Sequence, residues 1–275
     1  MNTEPPLLCV IGPTASGKSA RAIALAHELD GEVISVDSRQ VYRMLDIGTE
    51  KTTEEEMEGI PHHLIDVREV EETYSASDFV SDATSRISSI RARGKTPILA
   101  GGTHFYFDAL LYGLPSDTPP DPLLRELLEK RETTELLHEL RQRDPRRAER
   151  LDPNNKRRLV RALEIVERHG QVPARDILTP RFPVEWVVID PERDELRARI
   201  DARLSRALSG GLIEEVESIR SRVGDERLNE LGLEYKIVGE FLRGERAKDT
   251  LFPVLSSKVW QYARRQKAWL RKLTN

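Results

Sequence analysis

Residues 12–19 read Gly12-Pro13-Thr14-Ala15-Ser16-Gly17-Lys18-Ser19, a complete G-x-x-x-x-G-K-[ST] string directly behind the apolar run Leu7-Leu8-Cys9-Val10-Ile11. No other feature restricts the fold so tightly. The apolar run has the length of a buried strand, and Ala22, Ile23, Ala24 and Ala26 in the segment that follows fall at spacings a helix can use. Strand, glycine loop and helix in that order turn backbone N–H groups inward onto one anion, and the helix N-terminus adds its partial positive charge. Lys18 is long enough to reach outer phosphate oxygens, and the Ser19 hydroxyl suits a magnesium ion bridging them. The string specifies a polyphosphate without saying which.

Charged residues make up 33% of the 275 and the net charge is −4, which argues against a protein coated by nucleic acid but allows a local basic face. Cys9 is the single cysteine. With one cysteine there is no disulfide framework and no thiolate metal site, and Cys9 reads as a small buried apolar residue. Met1–Pro6 lacks a basic start, and no apolar stretch approaches the 18 or so residues of a membrane span, so a soluble cytoplasmic protein is expected.

From Leu7 to about Gly113 strand-like and helix-like stretches alternate: Glu32–Val36 is a second candidate strand, Ser75–Arg93 a helix, and Thr96–Ala100 a third strand running into Gly101-Gly102-Thr103. Such alternation indicates a parallel sheet with helices on its faces. The prolines between Pro115 and Pro122 mark a break. Beyond them Asp121–His169 is helical in pattern, Glu185–Ile189 returns as a fourth strand, and helices follow at Asp194–Leu208, Leu212–Arg222, Tyr235–Leu242 and Phe252–Leu273. The reading is an α/β core, residues 1–113 plus 185–275, interrupted by a helical insertion over 114–184.

In an open parallel sheet ligands collect at the carboxyl ends of the strands. The cradle follows strand one, Asp37-Ser38-Arg39-Gln40-Val41-Tyr42 follows strand two, and Gly101-Gly102-Thr103 follows strand three. Asp37 there can bind magnesium or act as general base toward a nucleophile approaching the phosphate-bearing substrate. An aspartate in that place also caps a following helix, and the residues alone leave these roles open. His62 and His63 have no Cys or His partners at ligand spacing, and adjacent histidines rarely share an ion, so they read as structural or substrate-lining.

Basic residues are unevenly placed. Arg141 to Arg168 holds ten Arg or Lys against five acids, and Lys258 to Lys272 holds six with no acid, interleaved with Trp260, Tyr262 and Trp269. Cations neutralise phosphates while aromatic and guanidinium planes stack on splayed bases, so both segments suggest an RNA contact; solvated helix faces and core tryptophans produce the same pattern.

Taken together, the strings resemble those of the tRNA dimethylallyltransferases, the tRNA isopentenyltransferases of the IPP transferase family. The matching strings are residues 12–19, Asp37–Tyr42, Asp46-Ile47-Gly48-Thr49, Pro61–Asp66, Tyr74-Ser75-Ala76, Gly101-Gly102-Thr103, Arg158 with Arg161–Glu164, and Arg264-Arg265-Gln266 with Trp269, in the family's order and nearly from end to end. The resemblance implies an α/β fold, a P-loop NTPase-like parallel sheet flanked by helices, with a helical insertion domain that contacts tRNA. It implies transfer of a dimethylallyl group from dimethylallyl diphosphate to the exocyclic amine of the adenosine next to the anticodon. Gly12, Pro13, Thr14, Ala15, Ser16, Gly17, Lys18 and Ser19 would hold the diphosphate with Mg2+, Ser19 being the metal residue. Asp37 matches the family's base and Thr103 a substrate-contacting threonine, both catalytic. Asp37, Ser38, Arg39, Gln40, Thr103, Arg157, Arg158, Arg161, Arg264, Arg265, Gln266, Trp269 and Arg271 match positions that meet the tRNA anticodon stem-loop. A monomer is expected. One departure stands out: Leu231–Lys236 lacks an arginine that the family carries there to reach the diphosphate, and Lys236 or Arg264 is expected to supply its charge. That departure also motivates a tRNA-binding paralogue with weak catalysis as the alternative, and the cradle alone is compatible with a small-molecule P-loop kinase.

Overall fold

The computed structural model describes residues 5–114, 116, 118–119, 121–174 and 179–273. In chain order these form β1 (Leu7–Ile11), α1 (Lys18–Glu28), β2 (Gly31–Ser35), β3 (His62–His63), α2 (Ala76–Ala92), β4 (Thr96–Gly101), α3 (His104–Tyr112), α4 (Pro122–Glu129), α5 (Thr133–Arg143), α6 (Pro145–Arg150), α7 (Lys156–His169), β5 (Val184–Val188), α8 (Arg193–Ser209), α9 (Leu212–Leu231), α10 (Leu233–Leu242) and α11 (Leu251–Leu273).

Among the described residues the strands make one five-stranded sheet in the order β3-β2-β4-β1-β5, every neighbour pairing parallel. β1 lies inside the sheet between β4 and β5 and is buried along its whole length, which is why its sequence is an unbroken apolar run rather than an alternation. Its register sets Ile11 beside Gly101 of β4 and Val188 of β5, so these strands end level with one another, just before the cradle. One face of the sheet packs Leu7, Cys9, Ile11, Ile34 and Leu99 against Phe79, Ile87 and Phe107 of α2 and α3, and the other packs Val10, Val33 and Ile98 against Ala22 and Ala26 of α1. Each such aliphatic side chain contributes about 1.5–3 kcal/mol when buried. A further core joins α8 to α11 through Leu196, Ile200, Leu204, Val216, Leu231, Tyr235, Leu255 and Val259. Burial pushes the Cys9 thiol far above its ordinary range, as expected of an inert core residue.

Two compact units are present: residues 1–111 with 180–275, and residues 112–179. The second carries its own apolar core, built from Leu128, Leu136, Leu140, Leu159, Leu163 and Val166 of α4, α5 and α7. Within it the buried Glu164 carboxylate accepts from Arg125 at 2.7 Å and Arg161 at 3.1 Å.

The four expected strands are present, and two elements were not foreseen. β3 is two residues long, too short for any periodicity, and His63 Nε2 lies 2.7 Å from the buried Glu32 carboxylate, which also accepts from Arg93. α3 has no polar stripe because Tyr106, Phe107, Leu110 and Leu111 are all buried, leaving no amphipathic signal.

Candidate active site

The carboxyl ends of β1, β2 and β4 open on one crevice, lined by Thr14, Ala15, Lys18, Ser19, Asp37, Gln40, Thr49, Glu50, Tyr262 and Gln266 together with the β4 terminus. Its floor is the loop between β1 and α1. Gly17 sits there at φ 94 as the N-cap of α1, a left-handed backbone open to glycine at little cost, so the chain turns sharply and the first N–H groups of α1 belong to Lys18 and Ser19, residues that line the crevice, and lack helical partners. Ser16 is 2% exposed, and its Oγ has no hydrogen-bond partner among the described residues. Lys18 folds back to donate to the Pro13 carbonyl at 2.7 Å. Burial pushes its ammonium down to about 8; Asp37 opposes that shift and Arg203 reinforces it.

Asp37 stands across from the cradle. Its Oδ1 accepts the N–H groups of Arg39 at 2.8 Å and Gln40 at 3.3 Å, so one oxygen caps the turn after β2 and fixes the side chain while the carboxylate still borders the crevice. Capping and a chemical role are therefore compatible in the same residue. Thr103 joins the ends of β2 and β4: its Oγ1 accepts from the Ser38 N–H at 3.1 Å, and its own N–H reaches the Val36 carbonyl at 3.1 Å. Gln40 ties in the next segment, donating to the Thr49 and Glu50 carbonyls. His104, one residue past Thr103, is 6% exposed, and burial first, then Lys18, hold its imidazole down to about 4, so it is neutral.

Several residues at this site carry no mark in the sequence. Arg203 of α8, 7% exposed, donates to Thr14 Oγ1, to the Gly48 carbonyl at 3.0 Å and to Glu234 at 2.9 Å. One turn earlier Arg199 donates to the Ser16 carbonyl at 2.9 Å. Lys236 and Arg264, expected to supply that charge, are both exposed, while Glu234, within the segment that lacks the arginine, bonds Arg203, whose guanidinium reaches Thr14 of the cradle. The available signal was the i, i+4 spacing of Arg199 and Arg203 beside the buried stripe Leu196, Ile200 and Leu204.

A family model described as IPP transferase matches residues 40–273. The chain belongs to the IPP transferase family. A tRNA dimethylallyltransferase of Thermomicrobium roseum is 42% identical over 99% of this chain and 85% of the relative. The tRNA dimethylallyltransferase of Anaeromyxobacter dehalogenans is also 42% identical, over 97% of this chain and 92% of that one. Among solved structures, the full-length tRNA isopentenylpyrophosphate transferase of Bacillus halodurans superposes with a TM-score of 0.72 at 36% identity, covering 98% of this chain and 87% of that one. A eukaryotic dimethylallyltransferase described as acting on tRNA gives 0.83 at 29% identity over 97% of this chain and 70% of that one.

For this IPP transferase the segments read from the sequence as RNA contacts divide by exposure. On α11 Arg264, Arg265, Trp269 and Arg271 are exposed, Trp269 to 42%, with Lys272 Nζ 5.9 Å from its ring centre. Trp260 packs on the α8–α11 core beneath the Arg197 guanidinium. Gln266 points the other way. It is 5% exposed; its Oε1 accepts the Thr14 N–H at 2.9 Å and its Nε2 donates to the Gly102 carbonyl at 3.0 Å, so the amide clamps the cradle to the end of β4. In the second unit Arg157 and Arg158 are exposed in the first turn of α7, whereas Arg161 is engaged by Glu164 and the Thr118 carbonyl. No helix is long and apolar enough to cross a membrane among the described residues.

Proposed function

We propose that this chain transfers a dimethylallyl group from dimethylallyl diphosphate to the exocyclic amine of the adenosine next to the anticodon of tRNA, in the cytoplasm. The observation that carries the reading is the crevice itself: an anion cradle with Lys18 and Arg203 at its back, and the fixed Asp37 carboxylate on the opposite wall. The relatives named tRNA dimethylallyltransferase support it over nearly the whole chain.

In the reaction the amine nitrogen attacks the allylic carbon as the bond from that carbon to the diphosphate oxygen breaks. A purine amine is a poor nucleophile, and Asp37 takes the proton it must lose as the new bond forms. The electron pair leaves with the diphosphate, where Lys18, Arg203 and the first-turn N–H groups of α1 stabilise the charge as it develops. The buried Ser16 hydroxyl without a partner is suited to an outer diphosphate oxygen. The Ser19 hydroxyl is a hard oxygen donor of the kind Mg2+ prefers, and Mg2+ in such sites takes its remaining ligands from water and substrate phosphate. The described residues include no group of three or more His, Cys, Asp or Glu able to hold a metal, in keeping with an ion carried largely by the substrate. When bound, it would neutralise part of the diphosphate charge.

Ser38, Arg39 and Thr103 border the approach of the flipped adenosine, while Arg157, Arg158, Arg264, Arg265, Trp269 and Arg271 grip phosphates and bases of the anticodon stem-loop. Gln266 and Arg161 serve the protein's own frame. Mixing the protein with magnesium, labelled dimethylallyl diphosphate and tRNA tests the reading. Label should move to tRNA with wild type, and Asp37→Asn should lower the rate by about a hundredfold or more, the usual worth of a general base, with tRNA affinity unchanged. No transfer to any tRNA bearing an adenosine after the anticodon would reject it.

A further inference from the structure

The turn at 46–50 forms one wall of the crevice, with Thr49 and Glu50 facing Asp37 and Lys18. Glu50 has φ 52, a left-handed conformation uncommon outside glycine, so something beyond the turn must hold it. That support comes from α9 and α10. Glu215 collects four donors on one carboxylate: at Oε2 the N–H groups of Asp46 at 3.1 Å and Ile47 at 2.7 Å, and at Oε1 the N–H of Gly48 at 3.0 Å and the Tyr235 hydroxyl at 2.7 Å. Tyr235, 1% exposed, closes the turn from its other side, and a Cβ on residue 48 would stand 2.7 Å from its hydroxyl. The Gly48 carbonyl is thereby fixed where Arg203 Nη2 donates to it, and the same guanidinium bonds Thr14 Oγ1 in the cradle.

We infer that Glu215 is a positioning residue for the diphosphate subsite: by holding the 46–48 backbone against Tyr235 it aims Arg203 at the cradle. The inference rests on the donor-binding reading of the crevice given above. Glutamine is nearly the same size but turns one acceptor into a donor, leaving backbone N–H groups facing an amide that cannot accept from all of them. The turn, and Arg203 with it, should loosen without a change in core volume. Because the exposed cations proposed to hold tRNA are not part of this chain of contacts, the effect should fall on the donor alone.

The test is calorimetric titration of dimethylallyl diphosphate with magnesium into wild type, Glu215→Gln and Tyr235→Phe, beside filter binding of tRNA to each. Glu215→Gln should weaken donor binding by about tenfold or more, the worth of one unsatisfied donor, with tRNA affinity held within about twofold. Tyr235→Phe keeps the carboxylate and its three backbone bonds and should weaken the donor by about threefold. Equal losses for donor and tRNA, or a fall in melting temperature with donor affinity intact, would overturn the inference. If Glu215→Gln does not fold, Tyr235→Phe decides alone, and unchanged donor affinity then overturns it. Wild type that fails to bind the donor at all rejects the functional reading, an outcome separate from wild type and Glu215→Gln binding equally.

Discussion

Lys18 bears electrostatically on His104, and burial pushes the ionisation of both groups down. Burial, reinforced by Arg203 against the pull of Asp37, brings the Lys18 ammonium down to about 8. Free protein above that pH must take up a proton before it presents a cation to the diphosphate, so donor affinity should fall as pH rises past about 8, by up to about tenfold per unit. Titrations in buffers of differing ionisation enthalpy would detect the proton taken up. The fold responds with the opposite sign: in the window between about 8 and the ordinary 10.5 the unfolded chain binds more protons, so stability rises there as pH rises. For His104 the folded value is about 4 against an ordinary 6.5, so the unfolded chain again protonates first and stability falls as pH drops through that window. His104→Phe should flatten this limb of the urea-melt pH profile, which amounts to about 3 kcal/mol at most. The cradle and Asp37 were legible because local strings announce them. Arg203 was not: it is one arginine among many on a charged helix, and only the docking of α8 decides which guanidinium meets Thr14. Gln266 was legible as part of a string while its geometry was not: it falls on the buried stripe of Val259, Ala263 and Leu270, next to the exposed Arg264 and Arg265.

At the level of elements, hydrophobic pattern located the sheet and most helices to within a residue or two, because strands buried on both faces and helices buried on one leave different periods. The expected helix ending at Arg222 is instructive. Gly224 at φ 75 and ψ 175 breaks the backbone path within α9 just beyond that expected end, and a second helical stretch continues to Leu231. That conformation is almost confined to glycine, and no atom lies within 4 Å of where a Cβ would stand, so the cost of substitution is conformational rather than steric. Gly224→Ala should destabilise the protein by about 1–3 kcal/mol in urea unfolding and leave the donor affinity unchanged. β3 and α3 stayed hidden for different reasons. A two-residue strand has no period, and α3, whose one exposed residue is Phe105, has no polar face.

For the molecule as a whole, the net charge of −4 says little about its partner, because exposed cations cluster in the first turn of α7 and along α11, which carries no acid. Affinity for tRNA should therefore drop steeply with salt, and Arg157→Ala with Arg158→Ala should reduce the slope of log affinity against log salt by about 1.5–2. Filter binding across a potassium chloride series measures it. The Gln266 clamp adds a temporal dimension. The amide that holds the Thr14 N–H lies 252 residues further along the chain, so on the ribosome the phosphate loop emerges long before the residue that shapes it. A nascent or truncated chain ending before Gln266 would carry the whole nucleotide-binding signature with its loop untethered. The loop thus gains this tether only as α11, the helix bearing the exposed tryptophan and arginines, is being made.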